Sequence, residues 1–176
     1  DLIELGFTNI GVRSYFAVAG GFNITPSFSS SATVCREGIG GLNGTKLRAN
    51  DILACSVLAD AKLCKLPEKS QPNYNKEVLL RIILSYQHRY FSNHMQNLFL
   101  SSEYTVGSDC DRMGYQLAGN KIVCDIKGIL SEGICLGAVQ ITNDGQPIVL
   151  MNDRQTIGGY PKIGSVISVD TATLGQ

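Results

Sequence analysis

The 176-residue chain is 44% hydrophobic and 17% charged, which is enough apolar content to bury a core and excludes wholesale disorder. Fifteen Lys and Arg balance fifteen Asp and Glu, so the basic footprint of a nucleic-acid or anionic-membrane binder is missing. Nineteen glycines among short apolar runs point to a turn-rich β protein rather than a helical bundle.

In chain order, residues 2–20 read as strand, turn, strand. Arg13-Ser14-Tyr15-Phe16-Ala17-Val18-Ala19 is apolar and halts at Gly20-Gly21, where the backbone turns with positive φ. Residues 23–50 are loop-like, with Pro26, a serine cluster from Ser27 to Ser31, and Gly38, Gly40, Gly41 and Gly44. Ile52-Leu53-Ala54-Cys55 is a short apolar strand, and Lys65 to Lys76, with Pro67, Pro72 and Asn73, reads as a linker. Val78 to Leu84 is a continuous apolar run, the pattern of a strand buried on both faces. Ser92 caps a short helix with Met95, Leu98 and Phe99 on one face. Strands follow at Tyr104-Thr105-Val106, Tyr115-Gln116-Leu117 and Ile122-Val123-Cys124. Asn143-Asp144-Gly145 between the runs 138–142 and 148–151 signals a hairpin. A last strand spans Ser165 to Val169. No βα alternation recurs, which disfavours a doubly wound sheet. The expected fold is mainly β: a closed or nearly closed barrel with one or two short helices.

The six cysteines, at 35, 55, 64, 110, 124 and 135, contain no Cys-x-x-Cys pair, and no metal site is expected. They are read as reduced thiols in a cytoplasmic protein. No apolar run approaches the ~20 residues of a membrane span, no signal peptide opens the chain, and the start at Asp1-Leu2-Ile3 without methionine reads as a fragment. Gly38-Ile39-Gly40-Gly41-Leu42-Asn43-Gly44-Thr45-Lys46 is glycine-rich, but the lysine follows Thr45 rather than a glycine. It fits neither a P-loop nor the dinucleotide fingerprint. Gly-x-Ser-x-Gly and His-Glu-x-x-His are absent.

The densest polar segment is Asn152 to Lys162, where Asp153, Arg154, Tyr160 and Lys162 crowd one connection beside Gly158-Gly159. An arginine fork near a lysine suits a carboxylate, phosphate or polarised carbonyl oxygen. An Asp153–Arg154 network pinning a tight loop fits the same residues. Ser108 to Tyr115, with Asp109, Asp111 and Arg112, either lines the same groove or forms a loop ion pair. Glu132, between two apolar stretches, is a general base or a turn acceptor.

Taken together, Asp111-Arg112-Met113-Gly114-Tyr115, Ser131-Glu132-Gly133, Gly137-Ala138-Val139-Gln140, Asp144-Gly145-Gln146-Pro147-Ile148, Asp153-Arg154-Gln155-Thr156 and Gly158-Gly159-Tyr160-Pro161-Lys162-Ile163 closely resemble the allophanate hydrolase subunit 2, or biotin-dependent carboxyltransferase-like, family. Arg13 to Gly21 matches too. That family includes the C subunit of 5-oxoprolinase and the antagonist of a sporulation kinase inhibitor. Phe28 to Thr33 and Leu84-Ser85-Tyr86-Gln87 depart from its usual Leu-Gly-Ser-Arg-Ser-Thr and Pro-Gly-Pro-Gln.

The resemblance implies paired cyclophilin-like β-barrels. Residues 1–66 are then the later part of a first barrel, 67–76 a linker, and 77–176 a second barrel. It implies Asp153, Arg154, Tyr160 and Lys162 as catalytic residues, with Gln140, Gln146, Arg112 and Glu132 binding substrate. The activity it implies is that of a hydrolase subunit in a bacterial ATP-dependent 5-oxoprolinase. Such a subunit would work only with a subunit 1 (or B) homologue and a further hydrolase subunit, on a small-molecule substrate, with no nucleic acid and no membrane. The alternatives are a urea amidolyase-type carboxyltransferase component, the one reading under which biotin would be a cofactor, and a non-catalytic regulator that binds a kinase inhibitor.

Overall fold

In the computed structural model the strands and helices run, in chain order, β1 (Ile82–Leu84), α1 (Asn93–Ser101), β2 (Thr105–Cys110), β3 (Gly114–Ala118), β4 (Glu132–Gly133), β5 (Ala138–Ile141), β6 (Pro147–Leu150), β7 (Ile157–Gly158), β8 (Lys162–Val166) and α2 (Ser168–Leu174). The structure describes residues 2–8, 11–56, 64, 66–70, 74 and 77–175. The chain divides into two units, Asp1–Thr8 with Arg13–Asn73 and Asn9–Val12 with Tyr74–Gln176. All these strands and both α-helices belong to the second.

The first unit is held by turns and isolated bridges. Phe22 pairs with Cys55, Ser27 with Ser30 and Val34 with Ile39, and the rings of Phe16 and Phe22 lie 5.7 Å apart. The strands expected over 2–20 and 52–55 do not form ladders. An apolar run needs a neighbouring strand to satisfy its backbone, and the pairing of 52–55 is limited to the Phe22–Cys55 bridge, with Asn23 N donating to Ala54 O at 2.8 Å. Leu5, Phe7 and Tyr15 are correspondingly exposed. Of the expected linker, residues 65, 71–73, 75 and 76 lie outside the described residues; Glu68–Ser70 forms a 3₁₀ turn.

In the second unit, an antiparallel sheet of order β1-β8-β5-β6-β3-β2 carries the core. Its centre is the expected hairpin. Val139 faces Val149 and Gln140 faces Ile148 across β5 and β6, and Gly145 turns the chain at φ 84°, a conformation that costs glycine little. No pairing joins β1 to β2 among the described residues, so the mainly β character is observed as a sheet with two end strands. Strand period sorts its side chains onto two faces. Tyr115, Leu117, Val139, Ile141, Val149 and Ile163 enter the main core with Phe91 and Phe99. The opposite parity puts Gln116, Ile148, Gln140 and Lys162 in one cross-strand row, since Gln116 pairs with Ile148, Ile148 with Gln140, and Gln140 with Lys162.

Helix α1 forms as its sequence predicts. Ser92 Oγ accepts from Met95 N at 3.3 Å, Phe99 is buried, and Met95 and Leu98 pack beside it. Three expectations are corrected. Of the apolar run 78–84 only β1 is strand, and it is an end strand pairing with β8 alone, so Leu79 and Ile83 are exposed rather than buried on two faces. Residues 122–124 are not strand: Ile122 N donates to Gly145 O at 2.9 Å, tying the segment to the hairpin turn. The last strand begins at Lys162, three residues before the expected Ser165, and ends at Val166. Ser168–Leu174 then turns helical because Asp170 anchors it, its carboxylate accepting from Arg81 N, Nε and Nη2 at 2.8, 3.0 and 2.7 Å.

Candidate functional site

The segments 108–116, 132–140 and 153–162, distant in sequence, converge on the second face of the sheet. The short β4–β7 pair joins two of them, with Glu132 opposite Gly158 and Gly133 opposite Ile157. Beside this pair lies a cleft of about 570 Å³, lined at its floor by Gln140, Ile148 and Leu150 and elsewhere by Asp109, Asp111, Gln116, Gln155 and Tyr160.

A buried polar network adjoins the sheet row. Lys162, 6% exposed, directs its Nζ to Glu132 Oε1. Gln87 Nε2 donates to the same oxygen at 2.6 Å, and Tyr86 OH donates to Glu132 Oε2. Gln87 Oε1 accepts from Lys162 N at 2.8 Å, while Ser85 Oγ donates to Lys162 O at 2.6 Å. The Leu84-Ser85-Tyr86-Gln87 stretch therefore clamps the start of β8. The hydrogen bond from Lys162, followed by that from Tyr86, holds the Glu132 carboxyl below the ordinary carboxylate range. The same bond to Glu132 raises the Tyr86 hydroxyl. Glu132 is thus an ionised acceptor whose oxygens are occupied, rather than a poised general base.

The four residues expected to act together are divided among different tasks. Asp153 makes a bidentate pair with Arg112, at 2.7 Å to Nε and 3.0 Å to Nη2, so the loop is pinned across to residue 112 and not by a private Asp153–Arg154 bond. Arg154 Nε donates to Ile134 O at 3.1 Å and Nη1 to Met151 O at 3.3 Å. The fork closes the loop onto backbone carbonyls and is not among the cleft-lining residues. Lys162 is in the Glu132 network. Tyr160, 37% exposed, lines the cleft. Gln140 lines it as well, whereas Gln146 turns away, its amide clamping Gly119 through Oε1 to N at 3.1 Å and Nε2 to O at 3.3 Å.

Gln116, Gln155, Tyr86 and Gln87 were not among the expected site residues. For Gln116 the signal was available: it interrupts the apolar pair Tyr115 and Leu117, as Gln140 interrupts Val139 and Ile141, so alternation places both on the face away from the core. For Tyr86 and Gln87 no spacing announces a contact that spans 45 residues to Glu132. Among the described residues no group of His, Cys, Asp and Glu could hold a metal, and all six cysteines are free thiols. No described helix is long and apolar enough to cross a membrane.

The chemistry available is hydrogen bonding to a small polar molecule: amide donors at the floor, carboxylates at the open side, apolar side chains between. The chain is 37% identical over 168 residues to the C subunit of 5-oxoprolinase from Escherichia coli (strain K12), covering 94% of this chain and 53% of that protein. It therefore spans about half the length of this curated relative. Among solved structures, that of TTHA0988 matches with a TM-score of 0.77 at 31% identity, over 96% of this chain and 32% of that one. The Kluyveromyces lactis urea carboxylase shares the fold, with a TM-score of 0.82 at 20% identity over 96% of this chain and 17% of that one. The family model described as carboxyltransferase domain, subdomain A and B, matches residues 1–176, and with the fold and the convergent loops in agreement, the chain belongs to that family.

Proposed function

We propose that the chain is part of the C subunit of an ATP-dependent 5-oxoprolinase, which opens the lactam of 5-oxoproline to glutamate in concert with partner subunits. The observation that carries this reading is the 37% identity to a protein named as the C subunit of 5-oxoprolinase, across 94% of the chain. The cleft supports it, because the amides of Gln116, Gln140 and Gln155 in its lining suit the amide group of a small lactam ring.

A lactam is a poor electrophile, and phosphorylation of its oxygen by ATP supplies a leaving group. The glycine-rich segment does not fit the nucleotide. In the glycine-rich segment, Gly44 N donates to Gly40 O at 2.7 Å and Thr45 N to Leu42 O at 3.2 Å, so these amides satisfy the loop itself. Among the described residues no helix directly follows to orient further donors. The glycine-rich loop is therefore left out of the proposed mechanism, and the contribution proposed for this chain is the walls that hold and orient substrate. Biotin belongs to the carboxyltransferase alternative alone.

The test is ATP-dependent release of glutamate from 5-oxoproline, with the whole subunit alone, with each partner and with both. Activity confined to the complete mixture is the expected result. Absence of turnover there, combined with ATP-dependent carboxylation of urea in the presence of a biotin carboxylase and its carrier, would replace this reading with the carboxyltransferase one.

A further inference from the structure

Gln140 is the anomaly of the sheet. It is 1% exposed, yet its Nε2 has no hydrogen-bond partner, the one buried side-chain polar atom so placed among the described residues. A buried donor without an acceptor destabilises the fold, and a leucine of similar volume would not carry that penalty. Buried groups left unsatisfied in this way are expected at functional sites.

Its surroundings define the ligand. Gln140 lines the cleft, as does the exposed Gln155. A β-carbon built on Gly158 falls 3.1 Å from Gln140 Nε2, 3.3 Å from Gln155 Nε2 and 2.6 Å from Ile134 Cδ1, so the absence of a side chain here lets two amide nitrogens and an apolar methyl approach one point. Ile148 and Leu150 give the lining apolar surface, the exposed Asp109 and Asp111 line it as well, and among the described residues no Lys, Arg or His lines the cleft. Two amide donors want a carbonyl oxygen, apolar side chains want a flat ring or alkyl body, and carboxylates favour N–H groups and repel anions. We infer that Gln140, assisted by Gln155, binds the carbonyl oxygen of an uncharged amide group, a lactam or carboxamide, in this cleft. The inference deepens the reading proposed above, and the identification of the bound group with the substrate lactam rests on that reading.

The experiment follows the side-chain amide resonances of ¹⁵N-glutamine-labelled whole subunit during titration with 2-pyrrolidone, a neutral lactam. Cyclopentanol serves as the ring without an amide, and 5-oxoproline as the anionic lactam. Wild type is expected to show a saturable shift of the Gln140 and Gln155 amides with 2-pyrrolidone and none with cyclopentanol. On the isolated subunit 5-oxoproline should bind more weakly than 2-pyrrolidone, because its carboxylate meets Asp109 and Asp111. Gln140→Leu should raise or preserve the melting temperature while weakening 2-pyrrolidone binding at least tenfold. Gly158→Ala, which keeps Gln140 but crowds both amides and displaces the Ile134 methyl that would lie 2.6 Å away, should weaken it similarly. No saturable shift in wild type, or unaltered affinity in both variants, would overturn the inference. Turnover of 5-oxoproline by the complete complex separates the two ideas: an unchanged KM with Gln140→Leu removes this cleft from substrate binding and leaves the oxoprolinase reading standing. A complete wild-type complex without turnover removes that reading, while the 2-pyrrolidone result stands by itself.

Discussion

Removing Glu132 should cost more stability than removing Lys162, although the two form one ion pair. The side chain of Lys162 is 8% exposed and that of Glu132 is 30% exposed. Glu132→Ala strands a buried ammonium and removes one acceptor each from Gln87 Nε2, which keeps its 3.0 Å bond to Tyr86 OH, and from the exposed Tyr86 hydroxyl. Breaking a fully buried pair from one side costs about 3–5 kcal/mol. Because nearly a third of the Glu132 side chain is open to solvent, water partly replaces it, and about 2–3 kcal/mol is expected. Lys162→Met keeps the stem packed and removes the charge itself. Glu132 then retains the bonds from Gln87 and Tyr86 and access to water, for a cost of about 1 kcal/mol or less. With an m-value of ~2 kcal/mol/M, the urea midpoint should fall by about 1–1.5 M for Glu132→Ala and by no more than about 0.5 M for Lys162→Met. Adding Lys162→Met to Glu132→Ala should restore part of the loss. The pH dependence has a definite sign. The folded carboxyl lies below its ordinary range, so its contribution is full above about pH 4–5 and fades as pH falls further. Equilibrium urea unfolding of the four proteins, at neutral pH and at pH 3, measures all of this. If Lys162→Met proved as costly as Glu132→Ala, Glu132 would not be the counter-charge of a buried cation, and the reasoning would fail.

Asp170, drawn down to about 2 by its bonds from Arg81, should make Asp170→Asn less stable than wild type at neutral pH. That gap should persist down to the ordinary Asp range near ~4 and close as pH falls toward about 2, as read from urea midpoints across that range. Ile163, 0% exposed in the main core, should cost about 2–5 kcal/mol on truncation to alanine and about 0.5–1.5 kcal/mol on Ile163→Val, by the same unfolding assay. Gly137 has φ 80° and a β-carbon there would lie 2.7 Å from Val166 O. Gly137→Ala should therefore lower the melting temperature by several degrees in a thermal scan, whereas Gly133→Ala, with open space around it, should not. Thiol titration of the denatured protein without reductant should find six reactive groups, because the structure has six free cysteines; four or fewer would mean disulfides.

Features set by short-range chemistry were legible in the residues. Asp144-Gly145 between apolar runs requires a hairpin, Ser92 before Met95, Leu98 and Phe99 requires a capped helix, and both formed. The same alternation that fills the core with Val139 and Ile141 exposes Gln140 to the other face, so even a cleft residue was set by strand period. What tertiary structure decided was partnership. Whether Val78 to Leu84 is buried depends on how many strands flank it, and only β8 does. Whether Arg154 and Lys162 present charge to a ligand depends on which acceptors lie within reach. The backbone carbonyls of Ile134 and Met151 claim the first, and the Glu132 carboxylate claims the second. A cation's chemistry is written in its side chain, but its availability is fixed by neighbours that the fold brings from 20 or 30 residues away. No local pattern encodes that distance.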